Sequence, residues 1–202
     1  MYKIAAFIEF DKKINDKVLG IKKKVKKKFG NQTYLNHPVH LTLFTLKIKK
    51  ISELKNIYKK KNYTSGKKPF IIKVNSPGIF KDDPLTGGHT IIYNIRANKK
   101  IKKVQLRHLN KINKKIKVLK SDISLFKSST LKKNYIQYGF PFTGKIWIPH
   151  ITIASIKNIS PNHKFISNFL GSKINLKSLI SEIKFYKIIK DKHIFLFSVK
   201  NI

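Results

Sequence analysis

Two stretches of this chain follow the same rule: Pro38-Val39-His40-Leu41-Thr42-Leu43 and Pro149-His150-Ile151-Thr152-Ile153. In each, a proline just precedes the pattern His, apolar, Thr, apolar, inside a longer β-prone apolar run. Side chains of a strand alternate between its two faces. His40 and Thr42 therefore share one face while Leu41 and Leu43 share the other, and the same division separates His150 and Thr152 from Ile151 and Ile153. One face of each strand is committed to a core, and the opposite face carries a titratable ring beside a hydroxyl. The His and Thr content alone predicts roughly 0.3 copies of His-x-Thr in a chain of this length, so two copies in strand context stand out.

Two imidazoles are the minimum kit for a reaction that needs one general base and one general acid near neutral pH. Other chemistries fit less well. Zinc would need a third ligand in defined geometry, and His37, three residues from His40 along a strand, is expected on the opposite face. No elbow or triad pattern accompanies any serine. The chain has no Cys, which removes disulfides, thiolate nucleophiles and cysteine zinc sites. The adjacent Asp82 and Asp83 lie in a turn-rich stretch, 81–88, and too few oxygen ligands surround them in sequence for a divalent ion.

The order of elements repeats. Residues 2–10 read as a strand, 12–29 as a helix with Ile14, Val18, Ile21, Val25 and Phe29 on its apolar stripe, then the first His-x-Thr strand, a short helix opened by Ser52, and a strand over 70–75 broken by Pro77-Gly78. The second round has a strand over 89–97 and a helix over 100–119, with Ile101, Val104, His108, Ile112, Ile116 and Leu119 inward and His108 a packed histidine. A long segment, 121–145, leads to the second His-x-Thr strand over 145–156. A helix opening at Ser160-Pro161 follows, then apolar runs over 182–189 and 194–199 joined by a hairpin turn at Asp191-Lys192. A polar turn is expected over 64–69. This layout predicts an α+β fold with duplicated architecture: a single bilobal domain over 1–202, with halves at about 1–80 and 88–202 that can exchange strands. Two antiparallel-rich sheets would face each other across a central cleft, with helices on the outer faces.

On these residues the chain resembles the two-histidine (2H) phosphoesterase superfamily, which includes the RNA 2′,3′-cyclic phosphodiesterases, also called 2′-5′ RNA ligases. His40-Leu41-Thr42-Leu43 and His150-Ile151-Thr152-Ile153 match its two signature motifs. The spacing of 110 residues between the histidines is wider than in compact members, and the 121–145 segment accounts for the excess. The resemblance implies in-line displacement at phosphorus without metal or other cofactor. One histidine takes a proton from the attacking oxygen and the other gives one to the leaving oxygen, while Thr42 and Thr152 hold the non-bridging oxygens. Which histidine is acid and which is base is left open. Further candidate contacts are Arg96, with its bidentate phosphate geometry, Lys145 just ahead of the second motif, and Tyr138, Phe140 and Phe142 as stacking surfaces for a base. The expected substrates are 2′,3′-cyclic phosphates at RNA ends or on nucleotides. The alternatives are degradation of 2′-5′ oligoadenylates or cyclic oligonucleotide signals, as in some viral members of the superfamily, and a non-catalytic basic RNA-binding protein.

Charge gives separate support for such partners. There are 45 basic residues against 9 acidic, a formal net charge of +36, and only Arg96 and Arg107 are arginines. An A+T-rich genome would explain abundant Lys, Ile and Asn but not scarce Asp and Glu. A field this positive attracts polyanions. No apolar run approaches a membrane span, and the apolar stretch 1–10 contains Glu9 and lacks a basic leader. A monomeric, cytoplasmic protein without membrane attachment is the expectation.

Overall fold

The computed structural model describes all residues except 60–68, 97–98, 117–122, 124–125, 127, 191 and 201–202. Most of the turn predicted at 64–69, Leu119 of a predicted apolar stripe, and Asp191 of the predicted hairpin turn lie outside the described residues. The elements in order are β1 (Tyr2–Glu9), α1 (Lys12–Phe29), β2 (His40–Ile48), α2 (Ile51–Lys59), β3 (Phe70–Asp83), β4 (Gly88–Ile95), α3 (Lys99–Lys115), α4 (Ser129–Tyr138), β5 (His150–Ile156), α5 (Lys164–Leu170), β6 (Leu176–Ile180), β7 (Glu182–Ile189) and β8 (Lys192–Lys200).

The strands form one antiparallel eight-stranded sheet in the order β6-β3-β4-β5-β2-β1-β7-β8. This corrects the expectation of two separate sheets. The His-x-Thr strands β2 and β5 are sheet neighbours, joined through a single residue pair, Leu41 with Ile151. Four strands lie on either side of that junction. Each group draws from both ends of the chain: β1 and β2 pair with β7 and β8, while β6 pairs back onto β3.

The aliphatic faces of the two central strands enter the core as their alternation requires. Leu41, Leu43, Ile151 and Ile153 are all buried, in one cluster with Ile14, Val18 and Val25 of α1 and Ile101, Val104 and Ile112 of α3. Burying such aliphatic side chains stabilises by about 1.5–3 kcal/mol each. Asp11 caps α1, its carboxylate accepting from the Ile14 amide at 3.1 Å. His108 is fully buried, its Nδ1 2.9 Å from the Tyr58 hydroxyl.

Several boundaries differ from the expectation, each for a local reason. β3 does not end at Pro77-Gly78 but continues to Asp83. Its pairing with β6 covers only Phe70 to Val74, so at Pro77 one edge is free of ladder bonds and a residue without an N–H is tolerated. A helix, α4, occupies part of the 121–145 segment, and Gly139 in the left-handed conformation (φ 69°) ends it. α5 starts at Lys164 rather than at Ser160-Pro161, because the His163 ring accepts from the Phe165 amide at 3.0 Å and caps the helix there. α2 begins at Ile51, placing Ser52 inside its first turn. β6 was not expected as a strand.

Candidate active site

The face of β2 and β5 opposite the core carries His40, Thr42, His150 and Thr152, all half-buried. The antiparallel bridge between Leu41 and Ile151 sets their arrangement. By antiparallel register, one step to either side of this pair puts Thr152 on the His40 side of the junction and Thr42 on the His150 side.

The two rings are held in the same way. Nδ1 of His40 lies 2.7 Å from the carbonyl of Pro38, and Nδ1 of His150 lies 2.7 Å from the carbonyl of Ile148. A carbonyl only accepts, so Nδ1 carries the proton in each neutral ring. Nε2 is left with a lone pair, the form a proton acceptor requires, and on protonation becomes a donor at the same position.

Their surroundings differ. Phe7 of β1 stacks on His40 with ring centroids 3.8 Å apart. His193 of β8 stands edge-on at 5.4 Å, and His37 packs against His193 at 4.9 Å. His37 precedes β2 in a loop rather than on the strand, so the expectation that it turns away from His40 fails. Burial pushes the His40 pKa down to about 3, against the pull of the Pro38 carbonyl, and the nearby His193, His37 and Lys22 add to the fall. His150 is also lowered by burial, but the Ile148 carbonyl and the carboxylate of Asp83 both act in the opposite direction. Phe80 meets the His150 ring edge-on at 5.0 Å.

Around the pair, several side chains that the sequence did not single out are fixed by strand register. Asn94 of β4 pairs with His150 and, on its other side, with Ser76 of β3. Its amide nitrogen donates to the Ser76 hydroxyl and the Pro77 carbonyl, both at 3.3 Å. Gly78 makes room for it: a Cβ there would fall 2.6 Å from that nitrogen. Glu9 pairs with His40 and accepts from Lys184 at 2.7 Å and from the Tyr186 hydroxyl. Asp83 is buried, with one carboxylate oxygen accepting from Thr90 at 2.6 Å and the other from the Leu85 amide at 3.0 Å.

The loop between α1 and β2 is anchored twice. Lys22 is 4 % exposed and its ammonium donates to the carbonyls of Tyr34 at 2.8 Å and His37 at 2.6 Å. Thr33 pairs with Ser155 near the end of β5. The approach to the first histidine is thereby tied to the strand of the second. Periodicity alone could have marked Lys22, since it lies four residues beyond Val18 on the inner stripe.

The remaining candidates are more scattered. Arg96 lies beyond the end of β4 and is exposed, and Lys145 is exposed in a short 3₁₀ turn. Phe140 is buried in the core and Tyr138 packs against it. Phe142 is exposed, and its carbonyl accepts from Gln105 of α3 at 3.0 Å. Among the described residues, no group of three His, Cys, Asp or Glu is placed to hold a metal ion, and no helix is long and apolar enough to cross a membrane.

Residues 2–197 match the model of the AKAP7 2′-5′ RNA ligase-like domain. The chain belongs to that family, within the 2H phosphoesterase superfamily. No curated protein sequence matches it. Among solved structures, TT0787 of Thermus thermophilus superposes with a TM-score of 0.64 at 14% identity, covering 98% of this chain and 97% of that one. Escherichia coli LigT in complex with NADP+ gives 0.56 at 10% identity, covering 98% and 96%, and LigT in complex with 3′-AMP gives 0.56 at 13%, covering 98% and 97%. At these identities the likeness to this 2H protein is one of fold. The family is one of phosphoesterases and RNA ligase-like proteins, which makes a phosphodiester-acting enzyme the general class.

Proposed function

We propose that this 2H protein opens 2′,3′-cyclic phosphodiesters at RNA ends or on nucleotides, without a metal, by acid–base catalysis through His40 and His150. The observation that carries the reading is the matched pair of imidazoles. Each is tautomerically fixed by a carbonyl two residues upstream at 2.7 Å, leaving Nε2 to transfer a proton. Thr42 and Thr152 are the donors to the non-bridging phosphate oxygens.

The unequal surroundings support a division of labour. Burial, reinforced by His193, His37 and Lys22, keeps His40 neutral, whereas Asp83 favours a proton on His150. His40 is the base that takes the proton of the attacking water, and His150 is the acid that protonates the departing ribose oxygen. The anionic substrate raises both pKa values on binding, and His150 gains its proton first.

Relatives captured with NADP+, 3′-AMP and ATP make nucleotide or RNA ligands the natural partners to test. A 2′-5′ phosphodiester is the second substrate class, favoured by the 2′-5′ RNA ligase-like family. It needs the same two proton transfers.

The test is a turnover panel in EDTA. It contains a 2′,3′-cyclic mononucleotide, an RNA oligomer ending in a 2′,3′-cyclic phosphate, a 2′-5′ oligoadenylate and cyclic dinucleotides, with wild type beside His40→Ala and His150→Ala. Turnover of the cyclic phosphates that either substitution abolishes supports the reading. Preference for the 2′-5′ oligomer or cyclic dinucleotides moves it to the alternative substrates. Absence of any turnover, with RNA binding intact in all three proteins, leaves a basic binding protein.

A further inference from the structure

The helix side of the sheet carries charge that the histidine face does not use. α1 and α3 bury their inner stripes against the same cluster that takes Leu41, Leu43, Ile151 and Ile153. Their outer faces therefore look away from His40 and His150. On α1 these outer positions include Lys13, Lys17, Lys23 and Lys27, all exposed. The acid within α1, Asp16, is ion-paired to Lys12 at 2.6 Å. α3 contains no acid, and Lys99, Lys103, Lys114 and Lys115 are exposed along it. Of the nine acids, Glu9, Asp82, Asp83 and Glu182 lie on the strands, Asp11 caps α1 and Glu53 lies in the first turn of α2.

These lysines are badly placed for the helices themselves. Lys13 with Lys17, Lys23 with Lys27, and Lys99 with Lys103 are like charges four residues apart, which weakens a helix. α3 also starts with lysines and no acid in its first turn, against the sign that the helix dipole favours there. A bound polyanion would relieve both effects.

We propose that the outer faces of α1 and α3 are a docking surface for the phosphate backbone of RNA, separate from the histidine face. It retains a strand through phosphate contacts while an RNA end is processed elsewhere on the molecule. The choice of RNA rests on the function proposed above. An anionic membrane fits less well, because a helix lying on lipid turns an apolar face to it, and here the apolar stripes are inside the core.

The test uses the full chain and a 20-nucleotide single-stranded RNA without a cyclic phosphate, with affinity followed against salt. Two variants are compared with wild type: K13Q/K17Q/K23Q/K27Q on α1 and K99Q/K103Q/K114Q/K115Q on α3. Each loses at least tenfold in affinity at moderate salt. Each also lowers the slope of log K on log salt by about 3, as expected for four lost phosphate contacts on a single strand. Melting temperatures of the unbound variants equal or exceed wild type, which separates lost contacts from lost folding. Turnover of a 2′,3′-cyclic mononucleotide is unchanged in both. Wild-type affinity and slope in both variants overturn the proposal. So does equal loss of RNA binding in His40→Ala and His150→Ala, which puts the contacts on the histidine face, and so does binding of phosphatidylserine vesicles without RNA binding. If wild type turns over no cyclic nucleotide while the RNA results hold, the functional reading fails and the docking surface stands.

Discussion

Phe7 lies against His40 with 3.8 Å between ring centroids and 28° between ring planes. His150 has an aromatic neighbour too, but Phe80 meets it edge-on at 5.0 Å and 82°. A stacked ring displaces water from one imidazole face, and desolvation disfavours the charged form. The two histidines thus share a tautomer and differ in how readily they take a proton. Titration followed by imidazole NMR in the free protein will show His150 protonating at higher pH than His40. Phe7→Leu opens the stack, raises the His40 pKa toward its ordinary value and costs roughly 1–3 kcal/mol of stability through lost packing. The reverse order of titration would sink the proposed division of roles.

The same depression makes stability depend on pH. Unfolded, His40 binds its proton near pH 6.5; folded, it does so only near 3. Above pH 6.5 both states are neutral and the histidine contributes no pH dependence. As pH falls through that window the unfolded state binds more protons, so stability drops, by about 1–2 kcal/mol at pH 5. Denaturant melts of wild type and His40→Gln at pH 7.5 and pH 5 measure this: the wild type should lose more on acidification. Equal losses would show that His40 is not desolvated in solution.

Lys22 is a positioning residue for the loop before β2. Replacing it with Met keeps the buried stem but leaves the carbonyls of Tyr34 and His37 without their ammonium donor. The expected cost is about 2 kcal/mol. Turnover should fall through kcat rather than KM, since Pro38 in that loop sets the His40 ring. Burial lowers the lysine pKa to about 8, so the charged form is penalised only in the folded state. Wild-type stability should therefore gain from this group between pH 8 and 10.5, a gain absent in Lys22→Met.

Gly78 and Asn94 test the second histidine. Gly78→Ala puts a methyl 2.6 Å from the Asn94 amide nitrogen, which forces that side chain from its place beside His150. Overpacking of this kind costs about 1–3 kcal/mol. Asn94→Ala in the Gly78→Ala background removes the clash and should recover stability. Failure of the second change to restore it would place the strain elsewhere in the sheet.

His40, Thr42, His150 and Thr152 were legible in the sequence because a period of two fixes their faces without any knowledge of neighbours. The buried aliphatics of β2, β5 and α1 followed from the same reasoning. Phe7, Asn94, Glu9 and His193 were not legible, since only long-range strand pairing brings them to the histidines. Pro77-Gly78 misled for a related reason. They read as a break, but an edge free of ladder bonds accommodates the proline and close approach to Asn94 requires the glycine. Separate sheets were expected from the duplicated layout, and the single pair Leu41 with Ile151, which joins the strands into one sheet, leaves no mark in sequence. Ser128 and Gly139 do flank α4 as cap residues, and that signal was available within the 121–145 segment.

The most direct test of the central claim is the kcat/KM for a 2′,3′-cyclic mononucleotide in wild type, His40→Ala, His150→Ala and the double variant, all in EDTA. Residues acting as one acid–base unit are strongly non-additive. The account predicts that each single substitution removes about 10²–10⁴-fold of the rate and that the double variant is no slower than the slower single. Additive losses, or a single variant with wild-type turnover, would contradict it.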